Sequence, residues 1–184
     1  MKTKDHFFKA VCTLAIPVAL QSMLQSSFSM VDQIMIGQLG EINVAGVGLA
    51  GKFASIYSVV ISAIGAVAGI MIAQYLGQKN RSEVRRSFFT NLLLGAGIAG
   101  MFMVICTLFP NQIMGAYTRD VQTRQAAAEY LMLISGTFVP MAGATLLSTL
   151  FRCLEKPRLP LYASILSALL NTSLNYIMIF GKLG

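Results

Sequence analysis

Five long apolar segments, separated by short polar stretches, constrain the fold of this chain more than any other feature. They span roughly residues 8–36, 44–74, 88–109, 126–150 and 159–180. About 20 apolar residues in a helix cross the ~30 Å hydrocarbon core of a bilayer, so each segment is long enough to span it. Charged residues make up 11% of the chain, too few to cover a water-facing surface, since soluble domains carry about 25%. We therefore predict an all-α, polytopic transmembrane helix bundle.

The basic residues indicate how such a bundle lies in the membrane. If each segment crosses once, ten of the 14 lysines and arginines lie at the N-terminus and in the second and fourth loops. Short cytoplasmic loops are enriched in Lys and Arg, so this distribution predicts a multi-pass protein of the plasma (inner) membrane with a cytoplasmic N-terminus. The net charge of +7 then reflects topology, and we expect the lipid bilayer, and no nucleic acid, as a partner.

Several classes of site have no support in the sequence. The three cysteines, Cys12, Cys106 and Cys153, have neither disulfide nor metal-ligand spacing. There is no Walker motif, glycine-rich nucleotide loop, HExxH or Cys/His cluster. We therefore expect no enzymatic activity, no bound cofactor and no metal site, other than a possible Na⁺ site at Asp32.

A polar stripe runs along the first apolar segment. Gln21, Gln25 and Asp32 fall within about 40° of one another on a helical wheel, and Ser29 lies beside them. Such a stripe on an otherwise apolar helix points toward a cavity or a partner helix. An ionised carboxylate within the bilayer costs at least ~2.5 kcal/mol, and intramembrane carboxylates are usually functional. Pro17 removes a backbone donor and is expected to bend this helix.

A second polar stripe lies on the fifth segment. Ser164, Ser167, Asn171 and Asn175 are spaced by three, four and four residues and therefore share one helical face. Placed opposite Asp32, the two asparagines could share a proton or an alkali cation with it, because hard cations prefer oxygen ligands. The alternative is that they only form hydrogen bonds between neighbouring helices.

Glycines on the second and third segments are predicted to let helices approach closely. Gly65 and Gly69 form a GxxxG pattern, and the next segment contains Gly95, Gly97 and Gly100. Small residues at these spacings are typical of helix–helix contacts in membranes.

Three stretches of the sequence match a known pattern. They read LAIPVALQSMLQSSFSMVDQIMIGQLG, AQYLGQKN and FRCLEKPRLPLYASILSALLNTSLNYIMIFGKLG. In their order and spacing they resemble the N-terminal half of multidrug and toxic compound extrusion (MATE) transporters. That family has a Pro in the first helix, an Asp fifteen residues later and a Gly-x-Leu-Gly that closes it, as Pro17, Asp32 and Gly37–Gly40 reproduce here.

The resemblance implies a secondary active antiporter that exports cationic xenobiotics in exchange for H⁺ or Na⁺. Asp32 would be the cation- or proton-binding carboxylate, completed by Asn171 and Asn175. Gln25, with Gln21 and Ser29 on the same stripe, would line the substrate cavity, and the first helix would bend at Pro17. Some relatives have Asp at the position of Asn175, which would give their site one more negative charge.

The resemblance covers only part of a twelve-helix transporter. We expect residues 1–184 to form a partial N-lobe, with the sixth helix and the C-lobe supplied by missing sequence or by another chain. One alternative is a truncated membrane protein that does not transport. Another is a flippase for lipid-linked precursors of the same superfamily, which would need a more cationic cavity than the apolar helix centres indicate.

Overall fold

The computed structural model describes the backbone of residues 2–37 and 40–179. It describes the side chains of residues 12–174, except those of residues 14, 32, 35, 38 and 39. All regular secondary structure in these ranges is α-helical, which confirms the predicted fold class. The helices are α1 (Lys2–Gly37), α2 (Glu41–Gly77), α3 (Arg81–Leu108), α4 (Pro110–Gly115), α5 (Val121–Ser135), α6 (Phe138–Cys153) and α7 (Arg158–Ile179).

The helices form two compact units. The first comprises Met1–Gln38 and Phe151–Gly184, so that it contains α1, α7 and the last turn of α6. The second, Leu39–Leu150, contains α2 to α5 and most of α6. Each unit therefore joins helices that are adjacent in space, and the first joins helices that are distant in sequence.

Two helices of the second unit are long and apolar enough to cross a bilayer. They are α2 and α3, and α5 with α6 make a third candidate span if the pair is taken as one bent segment. The helix axis turns by 53° between α5 and α6. The fourth predicted segment, residues 126–150, thus corresponds to parts of two helices, with Pro140 in the first turn of the second. Proline has no N–H to donate, so the regular hydrogen-bond ladder cannot pass through this point.

Neighbouring side chains satisfy the backbone around the break between α5 and α6. The Tyr57 hydroxyl of α2 donates to the carbonyl oxygen of Phe138, and the two rings stack with centroids 4.3 Å apart. The hydroxyls of Ser135 and Thr137 each donate to a carbonyl three residues earlier, at 2.7 Å. Irregular backbone at membrane depth is tolerated where such partners exist. The break is therefore a supported feature of the second unit.

Three glycines allow close helix contacts within the second unit. A Cβ added to Gly46 of α2 would lie 3.0 Å from the backbone nitrogen of Ala127 in α5. A Cβ on Gly95 would lie 3.0 Å from Leu146 Cδ1, and one on Gly65 would lie 3.4 Å from the Thr149 hydroxyl oxygen. These contacts confirm the predicted packing role of Gly65 and Gly95.

The prediction fails for two other glycines of α3. A Cβ on Gly97 or Gly100 would meet nothing within 4 Å in the part of the chain that the structure describes. Gly97 is exposed and Gly100 is half-buried. Spacing alone therefore did not separate the glycines that face a neighbouring helix from those that do not.

Side chains cap the N-termini of α3 and α5. The Asn80 side chain accepts a hydrogen bond from the Glu83 amide at 3.3 Å, where α3 begins. The Asp120 carboxylate accepts one from the Thr123 amide at 2.8 Å, where α5 begins. Hydrogen bonds from Thr123 hold the pKa of Asp120 below its ordinary value, because they favour the ionised carboxylate.

Candidate functional site on helices α1 and α7

The two predicted polar stripes meet where α1 and α7 pack within the first unit. Gln21 of α1 is 6% exposed, although the residues around it on that helix are mostly exposed. Its Nε2 donates a hydrogen bond of 2.9 Å to the Ser164 hydroxyl oxygen of α7. A buried glutamine amide requires such partners, because an amide removed from water without a hydrogen bond costs free energy. The contact brings one member of each stripe together.

Arg152 completes this contact from the last turn of α6. Its Nη2 donates to Gln21 Oε1 at 3.3 Å. A guanidinium group can donate but cannot accept, so the Gln21 oxygen must face Arg152 and the Gln21 nitrogen must face Ser164. We refer to Gln21, Ser164 and Arg152 as the Gln21 cluster. The cluster fixes the orientation of one amide side chain and places one positive charge beside it.

The other predicted site residues are distributed along the same two helices. Gln25 and Ser29 are exposed on α1, and Asn171 is exposed on α7. The side chains of Asp32 and Asn175 lie outside the described residues, although both positions are within α1 and α7. The assignment of a cation site to Asp32, Asn171 and Asn175, and of a cavity to Gln21, Gln25 and Ser29, therefore stays a prediction.

Two further positions bear on the site. Pro17 lies inside α1, which is assigned as one helix, so the bend predicted there also stays a prediction. Thr172 of α7 has a buried hydroxyl oxygen without a hydrogen-bond partner among the described residues. Other threonines here, such as Thr145 and Thr149, donate to a carbonyl four residues earlier in their own helix. The Thr172 hydroxyl makes no such hydrogen bond within the described part of the chain.

Sequence reasoning missed Arg152 and Thr172 for different reasons. Arg152 lies at the end of α6, before the turn that leads to α7, and the sequence indicates it only as a basic residue of the fourth loop. Thr172 does not follow the spacing of the polar stripe on α7. A pattern confined to one helix could not detect either contribution.

The described residues also limit what else the site can hold. They contain no group of three or more His, Cys, Asp and Glu side chains that could hold a metal ion. A separate concavity of about 350 Å³ lies within the second unit. It is lined by Pro110, Asn111, Val121, Arg124, Gln125, Ala128, Glu129 and Met132. In it Gln125 Nε2 donates to an exposed Glu129 carboxylate at 3.4 Å, an arrangement typical of a solvated surface.

A family model, MatE, matches residues 17–177, which is most of the chain. The chain belongs to the MatE family. The match includes α1 from Pro17 onward and all the helices to the last turn of α7. It therefore confirms the family that the three sequence stretches indicated, and with it a multi-pass membrane protein.

Curated relatives align with nearly the whole chain. The chain is 29% identical to a probable multidrug resistance protein NorM of Thermotoga maritima, over 96% of this chain and 38% of the relative. It is 25% identical to the protein of the same name from Streptococcus pneumoniae, over 100% of this chain and 41% of the relative. The chain thus spans about two fifths of the length of the relatives it matches.

Solved structures of two transporters share the fold of this chain. One is a MOP superfamily transporter from Pyrococcus furiosus, described as having a binding pocket of reverse polarity that suggests a different function. Another is an outward-facing multidrug resistance MATE family transporter. Each gives a TM-score of 0.87 at 18% identity, over 94% of this chain and 38% of the solved chain. At this identity the likeness establishes the fold alone.

The Gln21 cluster makes a testable contribution to stability. We expect Gln21→Leu to lower the thermal stability of the solubilised full-length protein, because Ser164 and Arg152 both lose a partner. Hydrogen bonds between membrane helices average about 0.6 kcal/mol and reach about 1.7 kcal/mol. A double-mutant cycle with Ser164→Ala should give a coupling in this range.

Gln25→Leu is the matched control for this prediction. Gln25 is exposed on the next turn of α1, so its replacement should leave the melting temperature close to that of the wild type. Equal losses in the two variants would contradict a specific role for the Gln21 cluster.

Proposed function

We propose that this chain is the N-terminal part of a multidrug efflux antiporter that exports cationic compounds in exchange for H⁺ or Na⁺. The observation that carries the proposal is the alignment of 96–100% of the chain with curated NorM relatives named as multidrug resistance proteins. The Asp of the family pattern is present at Asp32. The remainder of the transporter is supplied by further sequence or by another chain.

In the proposed mechanism, Asp32 alternates between a free and a cation- or proton-bound state. Asp32 follows Gln21 by eleven residues, which is close to three helical turns, so the sequence assigns both to one row of α1. Binding of H⁺ or Na⁺ neutralises the carboxylate and weakens its attraction for a cationic drug. The drug is then released outward while α1 bends near Pro17.

In this scheme the Gln21 cluster holds one end of the polar stripe of α1 in place. Gln21 donates to Ser164 of α7 and accepts from Arg152 at the end of α6, whereas Gln25 and Ser29, farther along α1, are exposed. We infer that α1 is anchored to α7 at Gln21 and that the part of α1 nearer Asp32 faces the cavity. The exposed Asn171 would contribute an oxygen atom from α7.

The proposal also specifies the cellular setting. The distribution of basic residues favours the plasma (inner) membrane with the N-terminus in the cytoplasm. The coupling ion is the only non-substrate ligand that the mechanism requires, and no cofactor takes part.

A dye-accumulation experiment tests the proposal. Cells that produce the full-length protein should retain less of a cationic aromatic dye than cells with the empty vector, and collapse of the H⁺ and Na⁺ gradients should remove the difference. Equal accumulation with and without a protein that is present in the membrane would contradict drug efflux. It would also favour the alternative of a membrane protein that does not transport.

A second candidate, a flippase for lipid-linked precursors, is favoured by one contact. Arg152 places a guanidinium within 3.3 Å of the polar stripe of α1, and an anionic headgroup would be attracted to it. Arg152 nevertheless lies in the last turn of α6 and not in the centre of a span. Transport of a fluorescent pyrophosphate-linked lipid, without transport of cationic dyes, would establish this alternative.

A further inference from the structure

Three arginines surround a concavity at the beginning of α3. The concavity has a volume of about 700 Å³ and is lined by Arg81, Ser82, Arg85, Arg86 and Phe89. All three arginines are exposed. Arg81 and Arg85 lie one helical turn apart on one side of α3, and Arg86 follows Arg85 in the second turn. The result is a concentrated positive charge around a space that is large enough for a phosphate-containing group.

The three guanidinium groups are not used elsewhere in the described part of the chain. None of them forms a hydrogen bond or an ion pair with another described residue. The nearest acidic residue in sequence, Glu83, has its amide in the cap of α3, and its side chain does not line the concavity. Three adjacent positive charges repel one another, so an anionic ligand would relieve this repulsion.

An apolar row continues from the arginines along α3. Phe89 is 56% exposed and Leu93 is 77% exposed, four and eight residues after Arg85. Phe88 packs against Phe89 edge-to-face, with ring centroids 5.7 Å apart. The helix α3 is long and apolar enough to span a bilayer. Its surface is positively charged where the helix begins and apolar at Leu93, which lies about 12 Å from Arg85 along the helix axis.

The order of these groups matches an amphiphile with an anionic headgroup. We propose that Arg81, Arg85 and Arg86 bind the phosphate of an anionic phospholipid whose acyl chain lies along Phe89 and Leu93. Arginine pairs with phosphate through two parallel N–H donors, and the Ser82 hydroxyl can donate a further hydrogen bond. This lipid site is independent of the proposed transport function, since it uses none of the residues on α1 and α7.

Competition between two lipids tests the site in the full-length protein. The protein is placed in nanodiscs with equimolar phosphatidylglycerol and phosphatidylcholine of identical acyl chains, and retained lipids are counted by native mass spectrometry. The wild type should retain phosphatidylglycerol in preference. Arg85→Gln and Arg86→Gln should each lower this preference roughly fivefold, the effect of one basic residue at an anionic surface.

Lys79→Gln is the matched control, because Lys79 carries the same charge in the preceding loop but does not line the concavity. It should leave the preference close to that of the wild type. An equal loss in Lys79→Gln, or no preference in the wild type, would overturn the proposal and indicate only a diffuse positive surface.

Melting temperatures distinguish a lipid ligand from free phosphate and show whether each variant is folded. Phosphatidylglycerol should raise the melting temperature of the wild type more than that of Arg85→Gln, whereas inorganic phosphate should raise neither. An equal rise with inorganic phosphate would overturn the assignment to a lipid. If either glutamine variant fails to fold, Arg85→Lys, which keeps the charge but loses the paired donors, should show a reduced preference.

Discussion

Efflux of a cationic dye is expected to stop when Asp32 is replaced with asparagine in the full-length protein, while membrane insertion is unchanged. Asparagine has nearly the same shape as aspartate but cannot ionise, so it can neither exchange a proton nor attract a cation. Dye accumulation in cells should therefore rise to the level of cells without the protein. The amount of protein in the membrane, measured by immunoblot, should equal that of the wild type.

Asp120→Asn is the matched control for the Asp32 variant. The Asp120 carboxylate caps α5 in a loop, and asparagine is as good an N-terminal cap as aspartate. The same chemical change should therefore leave efflux unchanged at Asp120. Wild-type efflux in Asp32→Asn would contradict the proposed role of this carboxylate.

Gly46→Leu is expected to prevent the second unit from packing. A Cβ at Gly46 would lie 3.0 Å from the Ala127 nitrogen and 3.1 Å from Ala126 Cβ, and a backbone atom cannot move aside as the end of a flexible side chain can. Overpacking of this kind costs about 1–3 kcal/mol and sometimes more. We expect a large loss of monodisperse protein on size-exclusion chromatography and a lower melting temperature.

Gly48→Leu provides the comparison for Gly46→Leu on the same helix. Gly48 is exposed, and a Cβ there would meet nothing within 4 Å in the described structure. Both substitutions change helix propensity equally, so a difference between them reports the contact with α5 alone. Similar stability of the two variants would show that α2 and α5 do not approach as closely as the structure indicates.

The span-forming helices were predictable because length and apolarity determine them. The apolar runs at residues 44–74 and 88–109 correspond to α2 and α3. The break between α5 and α6 was not predicted, since hydropathy continues through it and only Gly136 and Pro140 mark it in the sequence. The Phe138 carbonyl at this break accepts from the Tyr57 hydroxyl, which comes from a different helix and cannot be inferred from local sequence.

The candidate site was also predictable only in part. Periodicity indicated the stripes that meet at Gln21 and Ser164, because each stripe is a property of one helix. It could not indicate Arg152, which reaches Gln21 from 131 positions away. Contacts between helices distant in sequence require the tertiary structure, and the charge of the Gln21 cluster became evident only there.

Ion-coupled transport by the purified full-length protein in liposomes tests the central claim most directly. A cationic dye should move against its concentration gradient when an opposing H⁺ or Na⁺ gradient is imposed, and it should stop moving when that gradient is collapsed. Asp32→Asn should abolish this movement, and Asp120→Asn should preserve it. Absence of gradient-driven dye movement in the wild type, in liposomes that retain both gradients, would contradict the account.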